Sequence, residues 1–378
     1  MSFVRLLNLK LSDLQRRTSR KWRAYPDDVL PMWVAEMDAP VAPAVRAAVA
    51  DALDRDDTGY PCGDSYATAL AGFALERWGW SVDPARMSMV PDVMLGVVEL
   101  LKLVSEPGDG VVVNPPVYPP FYMFIEHMDR RIVTAPLTAE GRIDFERLRD
   151  AFRTAKAYLL CNPHNPTGTV HTAAELAAVA ELAAAHEVSV VVDEIHAPLV
   201  LPGATFTPYL SVSDTGFSVI SASKGWNLAA LKAALAIAGT QSADRLALMP
   251  EEVSQGVSHL GVIAHTAALC HGREWLDTLV GELSGNRALL GRLLAERLPQ
   301  IGYRPPGASY LAWLDCRGLE LRWSAAEVFL ERGRVALNAG EDFGQGGQGR
   351  VRMNIGTSPE LITEGVDRMV NALGKDRR

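Results

Sequence analysis

Between Gly110 and Ala238 the chain repeats one pattern: a short apolar run, a polar break, then helical spacing. The runs are DGVVVNPPVY, RRIVTAPL, AYLLCNPHNPTG, VSVVVDEIH, FSVISASK and AALAIAGT. A segment apolar at successive positions has no face to turn to water. Such runs, bounded by Pro, Gly, Asn or Asp, read as strands buried on both faces of a mainly parallel sheet. Between them AAELAAVAELAAAHE is built of strong helix formers. Helical patterns also cover VAPAVRAAVADAL, SYATALAGFALERWGW and GVVELLKLVSE. The alternation predicts an α/β layer architecture.

From about Gly281 the pattern changes. A long helix, ELSGNRALLGRLLAERL, leads into YLAWLDCRGL, VALNAGEDFG and GRVRMNIGT, with SAAEVFLERG between them. The expected organisation is an N-terminal segment over 1–45 packing with the small domain, a large domain over 46–280, and a small C-terminal α/β domain over 281–378. The basic N-terminal stretch as far as Pro26 lacks the compact apolar core and cleavage site of a secretory signal, so a surface helix and linker are expected there. A formal charge of −8 argues against a nucleic-acid partner. No run approaches the roughly 18–20 apolar residues that cross a bilayer. Cys62, Cys161, Cys270 and Cys316 are scattered, without CxxC or histidine spacing, so neither a metal site nor a disulfide framework is expected and the cytoplasm fits.

In open α/β sheets ligands bind beyond the carboxyl ends of the strands, so the residues delivered there decide the chemistry. VVVN leads to Tyr118, AYLLC to Asn165, VSVVV to Asp193 and His196, and FSVI to Ser221, Ser223 and Lys224. Singly, each has a plain structural reading: an Asp after a strand often caps a helix, and NPxNPTG suits a turn. Together they suit pyridoxal 5′-phosphate. A lysine amine made neutral by burial and by nearby cations can form a Schiff base. A buried carboxylate, Asp193, can hold the pyridine nitrogen protonated so that the ring acts as an electron sink. Tyr118 can cover a ring face, and Asn165 and His196 can reach the phenolic oxygen. Ser221, Ser223 and Lys232 can serve the phosphate, together with the backbone amides of Val93 and Met94 at a helix start.

LPMWVAEMD, VDEIHAPL, YLAWLDCRGL, VALNAGEDFG and GRVRMNIGTS also carry a resemblance that spans nearly the whole chain. The sequence resembles fold-type I pyridoxal-phosphate enzymes of the class I/II aminotransferase superfamily, and more narrowly the MalY/PatB-like cystathionine β-lyase (C–S lyase) branch. The resemblance implies Lys224 as the Schiff-base lysine and the roles above for Asp193, Asn165, His196, Tyr118, Ser221, Ser223 and Lys232. It implies that Arg352 grips the substrate α-carboxylate, with the backbone of Val34 and Ala35 facing the same group. It further implies that Tyr60 reaches the phosphate of a neighbouring subunit in a homodimer. Arg350 is expected on the opposite strand face from Arg352. Asp92 stands where the family usually has a small residue and is expected to turn away as a helix cap. Glu36 and Ala39 replace residues common in relatives and are expected to widen the substrate entrance.

The resemblance implies α,β-elimination from L-cystathionine or a related S-substituted L-cysteine, giving a thiol, pyruvate and ammonia. Transamination uses the same lysine and carboxylate and stands as the alternative. A cofactor-binding regulator is a third, since fold alone does not settle function.

Overall fold

The computed structural model describes residues 5–374; positions 1–4 and 375–378, the outer ends of the first and last expected segments, lie outside it. β1 (Leu30–Pro31) stands apart from the main sheet. β2 (Met87–Val90), β3 (Gly110–Val113), β4 (Arg131–Thr134), β5 (Ala157–Cys161), β6 (Ser189–Asp193), β7 (Phe217–Ile220) and β8 (Ala234–Ala238) form a seven-stranded sheet. Its order is β2-β8-β7-β6-β5-β3-β4. β3 to β7 pair in parallel, while β8 runs antiparallel to both of its neighbours. The expected α/β fold with a mainly parallel sheet is the one observed. β2, MSMV, has no apolar run to announce it, and its pairing with β8 makes it an edge strand.

Both faces of the sheet are covered, as continuous apolar strands require. Val111, Val113, Ala157 and Leu159 face a core shared with the Val93–Val104 helix. Val112, Tyr158 and Leu160 point the other way, to a core shared with the Ala173–Ala185 helix. That second helix opens with a capping box: Thr172 accepts from the Glu175 N–H, and Glu175 accepts from the Thr172 N–H.

β9 (Gly302–Tyr303), β10 (Leu311–Asp315), β11 (Val335–Ala336), β12 (Asn338–Ala339) and β13 (Arg350–Asn354) follow. Four of them make an antiparallel sheet ordered β12-β13-β10-β9, and β11 pairs in parallel with β1. The Ala325–Gly333 and Pro359–Gly374 helices pack beside this sheet. The long helix is Arg273–Arg297, so the boundary drawn at 280/281 falls inside it. One continuous core holds Phe73 and Trp226 beside the large sheet and Leu311 and Val351 in the small one.

The N-terminal stretch differs from the surface helix expected. It contains two single-turn helices, Leu11–Leu14 and Arg20–Arg23, and buries Leu6, Leu7, Leu14 and Trp22. Its density of basic residues hides this, because Lys21 is itself buried against Asp38 at 2.7 Å. A charge is tolerated inside when its partner goes with it. No helix among the described residues is long and apolar enough to cross a membrane.

Candidate active site

The central strands end side by side: Cys161 of β5 is in register with Asp193 of β6, and Asp193 with Val219 of β7. The connections beyond these ends enclose a cavity of about 290 Å³. Ala35, Tyr118, Asn165, Asp193, His196 and Lys224 line it, and Asp92, Val93, Met94, Ser221, Ser223 and Lys232 line it towards the start of the Val93–Val104 helix. Eleven of the residues expected at the site therefore share one cavity, and Arg352 joins them through Asn165.

Lys224 donates from Nζ to the Ala35 carbonyl at 3.0 Å. Burial, helped by the positive charge of Arg352, lowers its amine to about 8. Burial raises the Asp193 carboxyl to about 6, opposed by the Ile195 N–H that it accepts at 3.0 Å and by the charge of Lys224. The His196 ring is buried, and burial followed by the charges of Lys224 and Arg352 lowers it to about 3. Among the described residues its Nδ1 has no hydrogen-bond partner.

Arg352 of β13 is buried, with its guanidinium 5.0 Å from the Phe343 ring centroid. Nη1 donates to Asn165 Oδ1 at 2.9 Å; Nη2 donates to Asn338 Oδ1 at 2.7 Å and to the Trp33 carbonyl at 3.2 Å. Its Nε has no partner. Asn338 was not expected at the site. It sits opposite Arg352 in the β12–β13 register, a pairing that residue spacing does not reveal. Arg350 corrects the reading of that strand: residues two apart share a face, not opposite faces. What separates the two arginines is partnership. Arg350 donates to Asp315 at 3.2 Å and lies in a second groove, about 490 Å³, near Pro115 and Tyr303.

Residues 33–37 form no regular structure, yet every carbonyl among them is taken by a distant side chain. Arg352 takes Trp33, Asn354 takes Val34 and Glu36, and Tyr310 shares Ala35 with Lys224. Lys21 also reaches Glu36, while Asn227 and Arg17 reach Met37. Val34 is thus held by Asn354 and does not line the cavity, whereas Ala35 does. Neither Glu36 nor Ala39 lines it, and Ala39 is buried in the core.

The loop presenting Asn165 is fixed from behind. Gly168 has φ +66°, and a Cβ there would lie 2.2 Å from the Pro306 side chain, which accounts for the glycine of NPTG.

The other end of the cavity departs from expectation in two ways. Asp92 does cap the Val93–Val104 helix, accepting from the Leu95 N–H at 2.9 Å, but it does not turn away. It faces the cavity and accepts from Lys232 Nζ at 2.8 Å, because a carboxylate and an ammonium at one helix start attract each other. Ser221 directs its hydroxyl to the Ala233 carbonyl at 2.7 Å and accepts from the Ser223 N–H at 3.1 Å. Tyr60 is 82 % exposed and does not line the cavity of its own chain. Cys161 lines the cavity too; it ends the strand just before the turn that carries Asn165. Among the described residues no cluster of three or more His, Cys, Asp or Glu could hold a metal ion.

The chain is similar to known proteins over nearly its whole length. A Mycobacterium leprae protein provisionally named a cystathionine beta-lyase is 52% identical, covering 97% of this chain and 98% of its own. Cystathionine beta-lyase PatB of Bacillus subtilis is 36% identical, over 92% of this chain and 93% of its own. The solved structure of a Corynebacterium diphtheriae protein, provisionally described as a PLP-dependent beta-cystathionase, superposes with a TM-score of 0.93 at 35% identity. It covers 98% of this chain and 99% of that one. The sequence pattern of aminotransferase class I and II matches residues 27–369, and the chain belongs to that family.

Proposed function

We propose that the protein is a pyridoxal 5′-phosphate-dependent carbon–sulfur β-lyase acting on L-cystathionine or a related S-substituted L-cysteine. The observation that carries this reading is Lys224. Its amine sits in the cavity at about 8, with a buried carboxylate and a buried arginine joining the same site. The residues fit the cofactor. The partnerless Nδ1 of buried His196 and Nε of buried Arg352 are polar atoms that a polar ligand can satisfy. Asp193 can hold a ring nitrogen protonated, Tyr118 can cover a ring face, and Asn165 and His196 can meet a phenolic oxygen. The amides of Val93 and Met94, with Lys232, Ser221 and Ser223, line one end of the cavity and could hold a phosphate.

Pyridoxal phosphate, when bound, supplies an aldehyde for amines and a ring that takes up the electron pair of a broken Cα–H bond. The chain does the rest. Arg352 orients the substrate through its α-carboxylate, for which a planar guanidinium is suited, and the backbone at Ala35 closes the same side. Neutral Lys224 Nζ accepts the Cα proton. The sulfur leaves as thiolate and gains a proton. With one water, the thioether becomes a thiol, pyruvate and ammonia. The names of the M. leprae protein and of PatB support β-elimination over transamination. The family as a whole favours transamination as the second reading.

We further propose a cytoplasmic homodimer in which exposed Tyr60 enters the partner's site. The four cysteines are free, as a reducing compartment would leave them. Residues 46–280 and 281–378 are proposed as large and small domains, joined by the Arg273–Arg297 helix.

The test is pyruvate release from L-cystathionine by cofactor-loaded protein without added keto acid. Sustained pyruvate and free thiol are expected. Amino transfer that requires a keto acid, with no pyruvate, would overturn the lyase reading in favour of an aminotransferase. Cofactor binding without either activity would leave the regulator.

A further inference from the structure

The phosphate end of the cavity holds a charge arrangement that the functional reading does not require. A phosphate group there depends on the helix start and on Lys232 for positive potential. Yet Asp92 places a carboxylate at that helix start, bonded through Oδ1 to the Leu95 N–H and through Oδ2 to Lys232 Nζ. Ser221, which could donate, gives its proton to Ala233. The Asp92–Lys232 pair is electrically neutral, so a phosphate dianion meets amides but no net cation.

We propose that Asp92 is an affinity-setting residue: it neutralises Lys232 and holds phosphate binding well below what the same site would reach without it. This rests on the cofactor assignment above. The arrangement gives a phosphate held less tightly than the site could hold it and a helix start that stays capped and charge-balanced whether or not a phosphate is present. The pair is partly exposed, with Lys232 at 58% and Asp92 at 27%, so its influence is electrostatic and screened by salt.

The experiment titrates Asp92→Asn and Asp92→Ser proteins with pyridoxal 5′-phosphate and, separately, with pyridoxal, which lacks the phosphate. Binding is read from the visible absorbance of the lysine Schiff base. Asn and Ser both cap helices well, so the helix start keeps its side-chain acceptor while losing its charge. Both variants are expected to bind the phosphate ester about tenfold more tightly than the parent at low salt. Pyridoxal affinity should be unchanged, and the gain should shrink as salt rises. If both variants bind the phosphate ester no more tightly than the parent, or gain equally for pyridoxal, the proposal is overturned. A parent protein that forms no Schiff base with either aldehyde would instead overturn the cofactor assignment, which separates the two failures.

Discussion

The two ends of the cavity are built on opposite principles. At one end Asp193, His196 and Arg352 are buried, reach the site from both sheets, and have their ionisation moved by burial. At the other, Asp92 and Lys232 sit partly in solvent and answer each other across 2.8 Å. Groups that must fix a proton or an orientation are taken out of water, where a charge acts strongly and a misplaced one is costly. Groups whose charges cancel each other can stay near the surface, where each contributes little to stability and changes are tolerated.

That contrast breaks first at Lys224. Lys224→Ala is expected to remove pyruvate formation altogether while the protein still folds; normal turnover in that variant would falsify the buried end as the reactive one. Acid stability probes buried groups more widely, since of the histidines concerned only His196 lines the cavity. Burial leaves His164 at about 4, His171 at about 3, His196 at about 3 and His265 at about 4 in the folded chain. The unfolded chain takes up those protons below about 6.5, so the histidines' contribution is present above that pH and is lost as pH falls towards 3. Each histidine removes up to about 1.4 kcal/mol per pH unit. Asp193 and Glu194, raised to about 6 and about 8, oppose this because their folded forms hold protons more tightly. The four histidines outnumber them, so the melting temperature should fall steeply between pH 6.5 and 4.5. A flat profile there would show that burial does not hold these histidines neutral.

Arg352→Lys keeps the charge but loses the planar fork. It should lower kcat/KM by about 10²-fold, mostly through KM, measured by steady-state pyruvate release. Asn338→Ala tests whether the buried end relies on positioning: loss of one acceptor from Arg352 should raise KM by about tenfold with kcat nearly unchanged. The smallest effect belongs to the exposed end. Lys232→Met should change unfolding free energy by less than about 1 kcal/mol in denaturant titrations.

Much of this was legible because strand ends are punctuated. Asp193, His196, Asn165 and Lys224 follow apolar runs directly, so the period of the sheet places them at one edge. The pairing of Asp92 with Lys232 and the place of Asn338 beside Arg352 were not legible, for a physical reason. Each depends on a partner brought in by tertiary pairing, Lys232 across 140 residues and Arg352 across a strand register. The position of Arg350 could have been read correctly from strand geometry alone. The buried N-terminal turns were hidden because Lys21 looks like solvent-facing charge until Asp38 is placed beside it.

The unstructured span 33–37 bears on how the chain comes to be active. Several of its carbonyl partners lie far along the chain, in the small sheet or just beyond a strand of the large one: Lys224 is 189 residues from Ala35, Arg352 is 319 from Trp33 and Asn354 is 320 from Val34. Contacts so distant close large loops and form late. The span is held as it is only with both sheets in place, and the contact of Lys224 with Ala35 depends on that. A chain with its small sheet unformed would carry Lys224, Asp193 and His196 and still lack the contacts that hold the backbone beside them, so competence belongs to the two sheets together.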